Sequence, residues 1–234
     1  WDPRWIPYDP LFVVDLVDPA NPVVRSKLSI PGYSTYIEVD GDRLIAVGRE
    51  ERDVAVSLFD VSNPDAATQL ARVYPSKTQS PNEYAWSEAE WEHRAVTYLR
   101  DQGKLIVPVQ VWAGGQAIHS TQTVNVTQNS LTLGPVVKMK DQARRGTVLK
   151  GYLVSISGKE LAVHTDPPNG GESTEAAWLE LAWPVEQIIP MGDYLVQIES
   201  NAPGFSRSWW RWWGSNSSEQ NVVRLTKASD PDDV

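Results

Sequence analysis

The sequence contains no cysteine, which removes a disulfide framework, a thiol nucleophile and any Cys-ligated zinc or iron–sulfur centre. Histidine is almost as scarce: three residues, scattered, too few for a His-rich metal site. Positive charge is short as well, with 21 Lys and Arg against 30 Asp and Glu, a net charge of −9. A nucleic-acid binder needs the opposite sign to displace counterions from phosphates, so that class is excluded. No apolar run reaches the roughly 18–20 residues of a membrane helix. There is no Gly-rich phosphate loop, no Gly-x-Ser-x-Gly elbow and no helix-borne carboxylate pair, so no catalytic residues are assigned. The chain opens on Trp1 without an initiator Met or a signal-peptide pattern, which predicts a processed or trimmed product. What is present is 234 residues, 41% of them hydrophobic, enough to bury a core.

The organising feature is a repeat of strand, short Gly-containing turn, strand. It occurs around the turns Asp40-Gly41-Asp42, Asp101-Gln102-Gly103, Lys150-Gly151 and Met191-Gly192. Each turn is flanked by β-branched and aromatic runs such as Tyr36-Ile37-Glu38-Val39 and Leu44-Ile45-Ala46-Val47. Such turns supply the positive φ angles that tight hairpins require. A second element alternates with the first: a strand ending in an Asp/Asn-Pro corner, at 11–19, 56–64 and 222–231, with degenerate copies at 123–129 and 161–167. Proline cannot donate to a ladder and ends the strand. A third strand follows each corner, at 22–28, 69–74, 131–137 and 178–183.

Each repeat therefore has four strands. The corner prolines Pro19 and Pro64 are about 45 residues apart, the period of a four-stranded propeller blade. The predicted fold is all-β: a β-propeller showing about four antiparallel blades, near 22–63, 67–128, 130–166 and 177–230, as one partial domain over 1–234. A β-sandwich would not need the same strand order four times. Half-repeats at both ends favour part of a larger propeller over four blades closed into a ring. Two insertions, 75–92 and 201–219, break the pattern, and long loops on a rigid scaffold are where function usually sits.

The stretch Val14-Asp15-Leu16-Val17-Asp18-Pro19-Ala20-Asn21-Pro22, with Ile30-Pro31-Gly32-Tyr33 and Leu44-Ile45-Ala46-Val47-Gly48, resembles the secreted prokaryotic beta-propeller domain family distantly related to WD repeats. The same strand is similar to the LVIVD repeat. Ser57-Leu58-Phe59-Asp60-Val61-Ser62-Asn63-Pro64, Glu92-His93-Arg94-Ala95, Leu105-Ile106-Val107-Pro108-Val109 and Arg144-Arg145 with 151–157 resemble further pieces of that family. The resemblance covers about 11–166 and implies a secreted or surface propeller. It brings no catalytic residues.

The most unusual local feature is Trp209-Trp210-Arg211-Trp212-Trp213. Four indoles around a guanidinium offer a stacking surface for a protein partner, a glycan or a lipid interface, or they fold back to cover the propeller edge. These five residues are the expected binding site. His93 with Glu88, Glu90 and Glu92 could form an acid–base pair or a metal site, but the alternation of a strand turns His93 away from the three acids, so a structural role is expected. Glu38-Val39-Asp40-Gly41-Asp42 and Asp230-Pro231-Asp232-Asp233 have a calcium flavour without the twelve-residue loop, and no metal or cofactor is expected beyond that weak possibility of Ca²⁺. Asn125-Val126-Thr127 and Asn216-Ser217-Ser218 fit the glycosylation triplet, and the Gly pairs at 114–115 and 170–171 read as turns.

The functional expectation is a non-enzymatic extracellular or cell-envelope propeller, on the cell surface or in the periplasm. It acts as a protein-interaction scaffold or assembly subunit, with a protein partner or the remaining blades as its contacts. The alternative is a glycan-binding module, or a glycan-active enzyme using acids such as Glu88, Glu90 or Glu186.

Overall fold

The computed structural model describes residues 10–167, 172–181, 185–200 and 221–229. Every regular element longer than one turn in these residues is a β-strand, and all ladders are antiparallel. Strands β1 (Leu11–Asp15) and β2 (Val23–Leu28) form a two-stranded sheet. Strands β3 (Tyr33–Asp40), β4 (Arg43–Glu50), β5 (Asp53–Asp60) and β6 (Thr68–Ser76) form a four-stranded sheet in chain order. The next sheet has five strands: β7 (Tyr84–Trp86) and β8 (Thr97–Leu99) both pair with β9 (Lys104–Ala113), followed by β10 (Gln116–Val126) and β11 (Leu131–Met139). Strands β12 (Ala143–Leu149), β13 (Tyr152–Ser157), β14 (Glu160–Thr165) and β15 (Glu175–Glu180) make a second four-stranded sheet. Strands β16 (Val185–Met191), β17 (Tyr194–Ser200) and β18 (Asn221–Lys227) make a three-stranded one. The insertion at 201–219 lies outside the described residues.

The Gly turns do what their composition requires. Gly41, Gly103, Gly151 and Gly192 all have φ between 56° and 77°, and Lys150 joins Gly151 at φ 51° in a two-residue hairpin. The corners reach back to these turns. Val61 N, Val126 N and Ala228 N donate to the carbonyls of Asp42, Gly103 and Asp193 at 2.7–2.9 Å. The first two corners are closed by their own Asp or Asn: Asp15 accepts from Val17 N, Asp60 from Ser62 N and Asn63 from Asp65 N; Thr127 Oγ1 does the same after β10, accepting from Ser130 N at 3.0 Å.

Most strands fall where expected, though the strand read at 95–99 begins at Thr97 and the one read at 178–183 runs over Glu175–Glu180; the sheets are phased one strand later than the units 22–63, 67–128, 130–166 and 177–230. The strand after each corner folds back onto the strand before it: β2 on β1, β6 on β5, β11 on β10, β15 on β14. A short corner permits only this antiparallel return. The insertion at 75–92 is likewise absorbed in part, since 75–76 end β6 and 84–86 form β7.

The first four sheets stack face to face in succession. Leu11 and Leu28 of the first sheet pack on Ile30, Ala46 and Phe59. The opposite face of that second sheet (Ile45, Val47, Val54, Val56, Leu58) meets Leu105, Val107, Val109 and Val124 of the third in the main core. The third and fourth sheets meet through Val137, Met139, Ala143, Leu153 and Ala162. Burying these rows contributes about 25 cal/mol per Å² of apolar surface and holds the stack together.

Candidate functional site

The third sheet's leading strand is interrupted. β7 pairs with Gln110–Trp112 and β8 with Lys104–Ile106, and the chain between them, 87–96, leaves the ladder. It makes two 3-10 turns, Glu88–Glu90 and His93–Ala95. Local chemistry explains the departure. Ser87 Oγ accepts from Ala89 N at 3.1 Å, and Glu90 Oε1 accepts from Ser87 N at 3.1 Å, a capping box that competes with strand pairing. Ser87 Oγ also donates to Pro108 O at 2.6 Å, which ties the turn to β9. Glu92 caps the second turn by accepting from Arg94 N at 3.0 Å.

This excursion puts three of the singled-out acids in different surroundings. Glu88 is buried, 8% exposed, and accepts from Arg144 Nη1 and from Gln142 Nε2, the latter at 2.8 Å; both partners belong to the fourth sheet and its entry. Glu90 Oε2 accepts from Tyr33 Oη at 3.2 Å and stands 3.6 Å from Arg49 Nη1, both on the second sheet. Burial and the Glu90 charge push the Tyr33 phenol up from its ordinary range. Thr35 Oγ1 donates to Ala89 O at 3.2 Å. Glu92 is half-buried and pairs with Arg94 at 3.0 Å, and the hydrogen bonds from Arg94's side chain and backbone bring its carboxyl down to about 2.

The alternation expected for 90–94 therefore does not hold, because this segment is two turns and not a strand. His93 instead meets the edge of Tyr36, ring centroids 6.1 Å apart at 86°, while Tyr36 Oη donates to Glu38 at 2.9 Å. The excursion acts as a clamp. Its two acids reach opposite ways, one to each neighbouring sheet, and each is engaged by donors and a cation. Neither has the unpaired, cleft-facing carboxylate that general acid–base chemistry uses.

The second acidic group takes up a different place. Asp40 accepts from Tyr98 Oη at 2.6 Å and is ion-paired with Arg100 Nε at 3.1 Å, at the mouth of a cleft of about 510 Å³ between the second and third sheets. Arg43 lines the same cleft, paired with Asp60 at 2.8 Å and donating to Gln128 O at 2.8 Å. The motif at 38–42 is thus a strand end and hairpin, charge-paired across two sheets. Among the described residues no group of three or more His, Asp or Glu is placed to hold a metal ion. Asp230-Pro231-Asp232-Asp233, Asn216 and Trp209-Trp210-Arg211-Trp212-Trp213 lie outside the described residues. Asn125 sits within β10, opposite Lys104 and Thr132.

An aromatic ladder was not anticipated. Tyr84 stacks on Trp86 at 5.2 Å and on Trp112 at 6.4 Å, rings within 23° of parallel. Tyr84 and Trp112 are direct cross-strand partners, and Tyr84 remains 41% exposed. The signal was present only as Tyr84 and Trp86, two apart, and Trp112 beside the turn Gly114-Gly115.

Stacked antiparallel sheets built on one repeating order of hairpin and corner define a β-propeller domain. The chain belongs to the beta propeller domain family, whose model matches residues 7–200. It is 31% identical over 159 residues, 68% of its length, to an uncharacterized protein of Archaeoglobus fulgidus, of which that stretch covers 23%. A second uncharacterized protein, from Methanocaldococcus jannaschii, is 46% identical over 57 residues, 24% of this chain and 9% of that protein. The chain thus spans about a quarter or less of these relatives' length. A crystal structure of a protein from Lactobacillus plantarum aligns with a TM-score of 0.41 at 14% identity, over 76% of this chain and 51% of that one. No helix among the described residues is long and apolar enough to cross a membrane.

Proposed function

We propose that this domain is a non-enzymatic interaction scaffold whose two terminal sheets are docking faces for further sheets, supplied by a protein partner or by more of the same propeller. The observation that supports this reading is the outward apolar face of the first sheet together with an exposed apolar face on the last. On the first sheet Phe12, Val14 and Val24 share one exposed face, opposite the face that carries Leu11 and Leu28 into the core. On the last sheet Ile189, Met191, Tyr194, Val223 and Leu225 fall on one side by their register, all exposed. Contiguous apolar sheet faces of this kind mark association surfaces. The engaged state of Glu88 and Glu90 fits a scaffold better than a hydrolase. An extracellular or cell-envelope location belongs to the same reading and rests on the family resemblance. Sedimentation velocity over a concentration range, with dye binding to exposed apolar surface, tests the docking faces. Association that Leu225→Lys and Val24→Lys abolish, with unchanged circular dichroism, is the expected result. A chain that stays monomeric and binds no dye refutes the proposal.

The aromatic ladder favours a second reading, glycan binding along Tyr84 and Trp112, since exposed aromatic rings suit sugar faces. A glycan array with wild type and Tyr84→Ala decides it: binding lost in the variant supports the site, and no binding by wild type removes it.

A further inference from the structure

The third sheet has two unlike faces. Toward the second sheet it presents Leu105, Val107, Val109 and Val124. Toward the fourth it presents Ile106, Pro108, Gln110, His119, Thr121 and Thr123, as the cross-strand pairs Gln110 with His119 and Pro108 with Thr121 require. Gly146 of β12 confirms the orientation: a Cβ there would lie 2.7 Å from Thr121 Cγ2, 2.8 Å from Ile106 Cγ2 and 3.2 Å from Ser155 Oγ.

On this second face three side-chain atoms are fully buried and have no hydrogen-bond partner within the chain: Gln110 Oε1, His119 Nδ1 and Thr121 Oγ1. Their residues are at most 5% exposed. Gln110 and His119 are directly opposite, and Thr121 is the next residue on the same side of β10. Direct partners place Cβ atoms about 5 Å apart and next neighbours along a strand about 7 Å, distances one or two water molecules bridge. Three buried polar atoms left bare would each cost a large part of a desolvation penalty, and native interiors resolve such groups with internal water. A water can donate to Gln110 Oε1 and to an unprotonated His119 Nδ1 while accepting from Thr121 Oγ1, which fits both its two donors and its lone pairs.

We infer that this seam between the third and fourth sheets is a specific internal hydration site, with ordered water held by Gln110, His119 and Thr121. The proposal is independent of the docking faces.

The test uses the full chain. A crystal structure at a resolution that shows solvent is expected to place an ordered water within hydrogen-bond distance of at least two of the three atoms. Oxygen-17 relaxation dispersion is expected to count fewer long-lived waters in Thr121→Val than in wild type, with Thr121→Ser retaining the wild-type count. Thr121→Val is expected to lower the unfolding midpoint by about 2–4 °C, because the water loses a partner. If the hydroxyl were a bare buried group, its removal would leave the midpoint unchanged or raise it, and that result overturns the site. A structure in which Thr121 Oγ1 bonds directly to Ser155 Oγ without water overturns it too. Should Thr121→Val fail to fold, Gln110→Leu read by the same relaxation measurement takes its place, and an unchanged count of long-lived waters refutes the inference.

Discussion

Removing Arg144 is expected to destabilise the protein more than neutralising its partner Glu88, although both changes break the same ion pair. Glu88 is 8% exposed, while the Arg144 side chain is 54% exposed. Glu88→Gln keeps the shape, leaves an amide beside Gln142, and returns a guanidinium that already meets water; the expected cost is about 1 kcal/mol, that of one net hydrogen bond. Arg144→Ala leaves a buried carboxylate with Gln142 as its remaining named side-chain donor. Fully buried pairs lose about 3–5 kcal/mol on such truncation, and the partly hydrated Arg144 scales this to about 2 kcal/mol. The double variant Glu88→Gln/Arg144→Ala removes the stranded charge and is expected to be more stable than Arg144→Ala alone. Urea unfolding followed by tryptophan fluorescence and far-UV circular dichroism measures all four corners of the cycle. Equal single costs that add in the double variant would refute the clamp, because they would mean the carboxylate is not stranded when Arg144 is gone.

Gly48 lies opposite the β3 bulge, where a Cβ would sit 2.0 Å from Tyr33 O, so Gly48→Ala forces backbone apart and is expected to cost about 3 kcal/mol or more by denaturant titration. Gly151→Ala, at φ 77° with open space around it, carries only left-handed strain of about 1–2 kcal/mol. Burial pushes the imidazoles of His119 and His164 down from 6.5, so the unfolded chain takes up protons first as pH falls. Their contribution to stability is complete above about pH 6.5 and is lost as the pH drops through the folded values. A thermal-unfolding series from pH 7.5 to 5 should show this decline, and His119→Gln/His164→Gln should flatten it.

Much of the architecture was legible because each strand boundary carries its own chemistry. The turns at Gly41, Gly103, Gly151 and Gly192 were readable since only a residue tolerant of positive φ closes them, and Pro19 and Pro64 mark corners because proline ends a ladder. The sheet phasing was not legible: a four-strand repeat reads the same from any starting strand, and only hydrogen bonding decides where one sheet stops. The clamp was half legible. Ser87-Glu88-Ala89-Glu90 spells a capping box, a signal for a turn that the surrounding strand pattern obscured. The partners Tyr33, Arg49, Gln142 and Arg144 lie about 40–60 residues from it, and no local pattern announces them.

The unlike faces of the third sheet also divide the molecule mechanically. The second and third sheets share a continuous apolar core, so they should open only together, as one cooperative unit with the slowest amide exchange in β4, β5, β9 and β10. The joint beyond it has a smaller apolar contact and a polar row, and should separate at lower free energy. Under force or mild denaturant the fourth sheet would then part from the third before the second and third sheets separate, and whatever docks beyond it would be released while the central pair stayed folded.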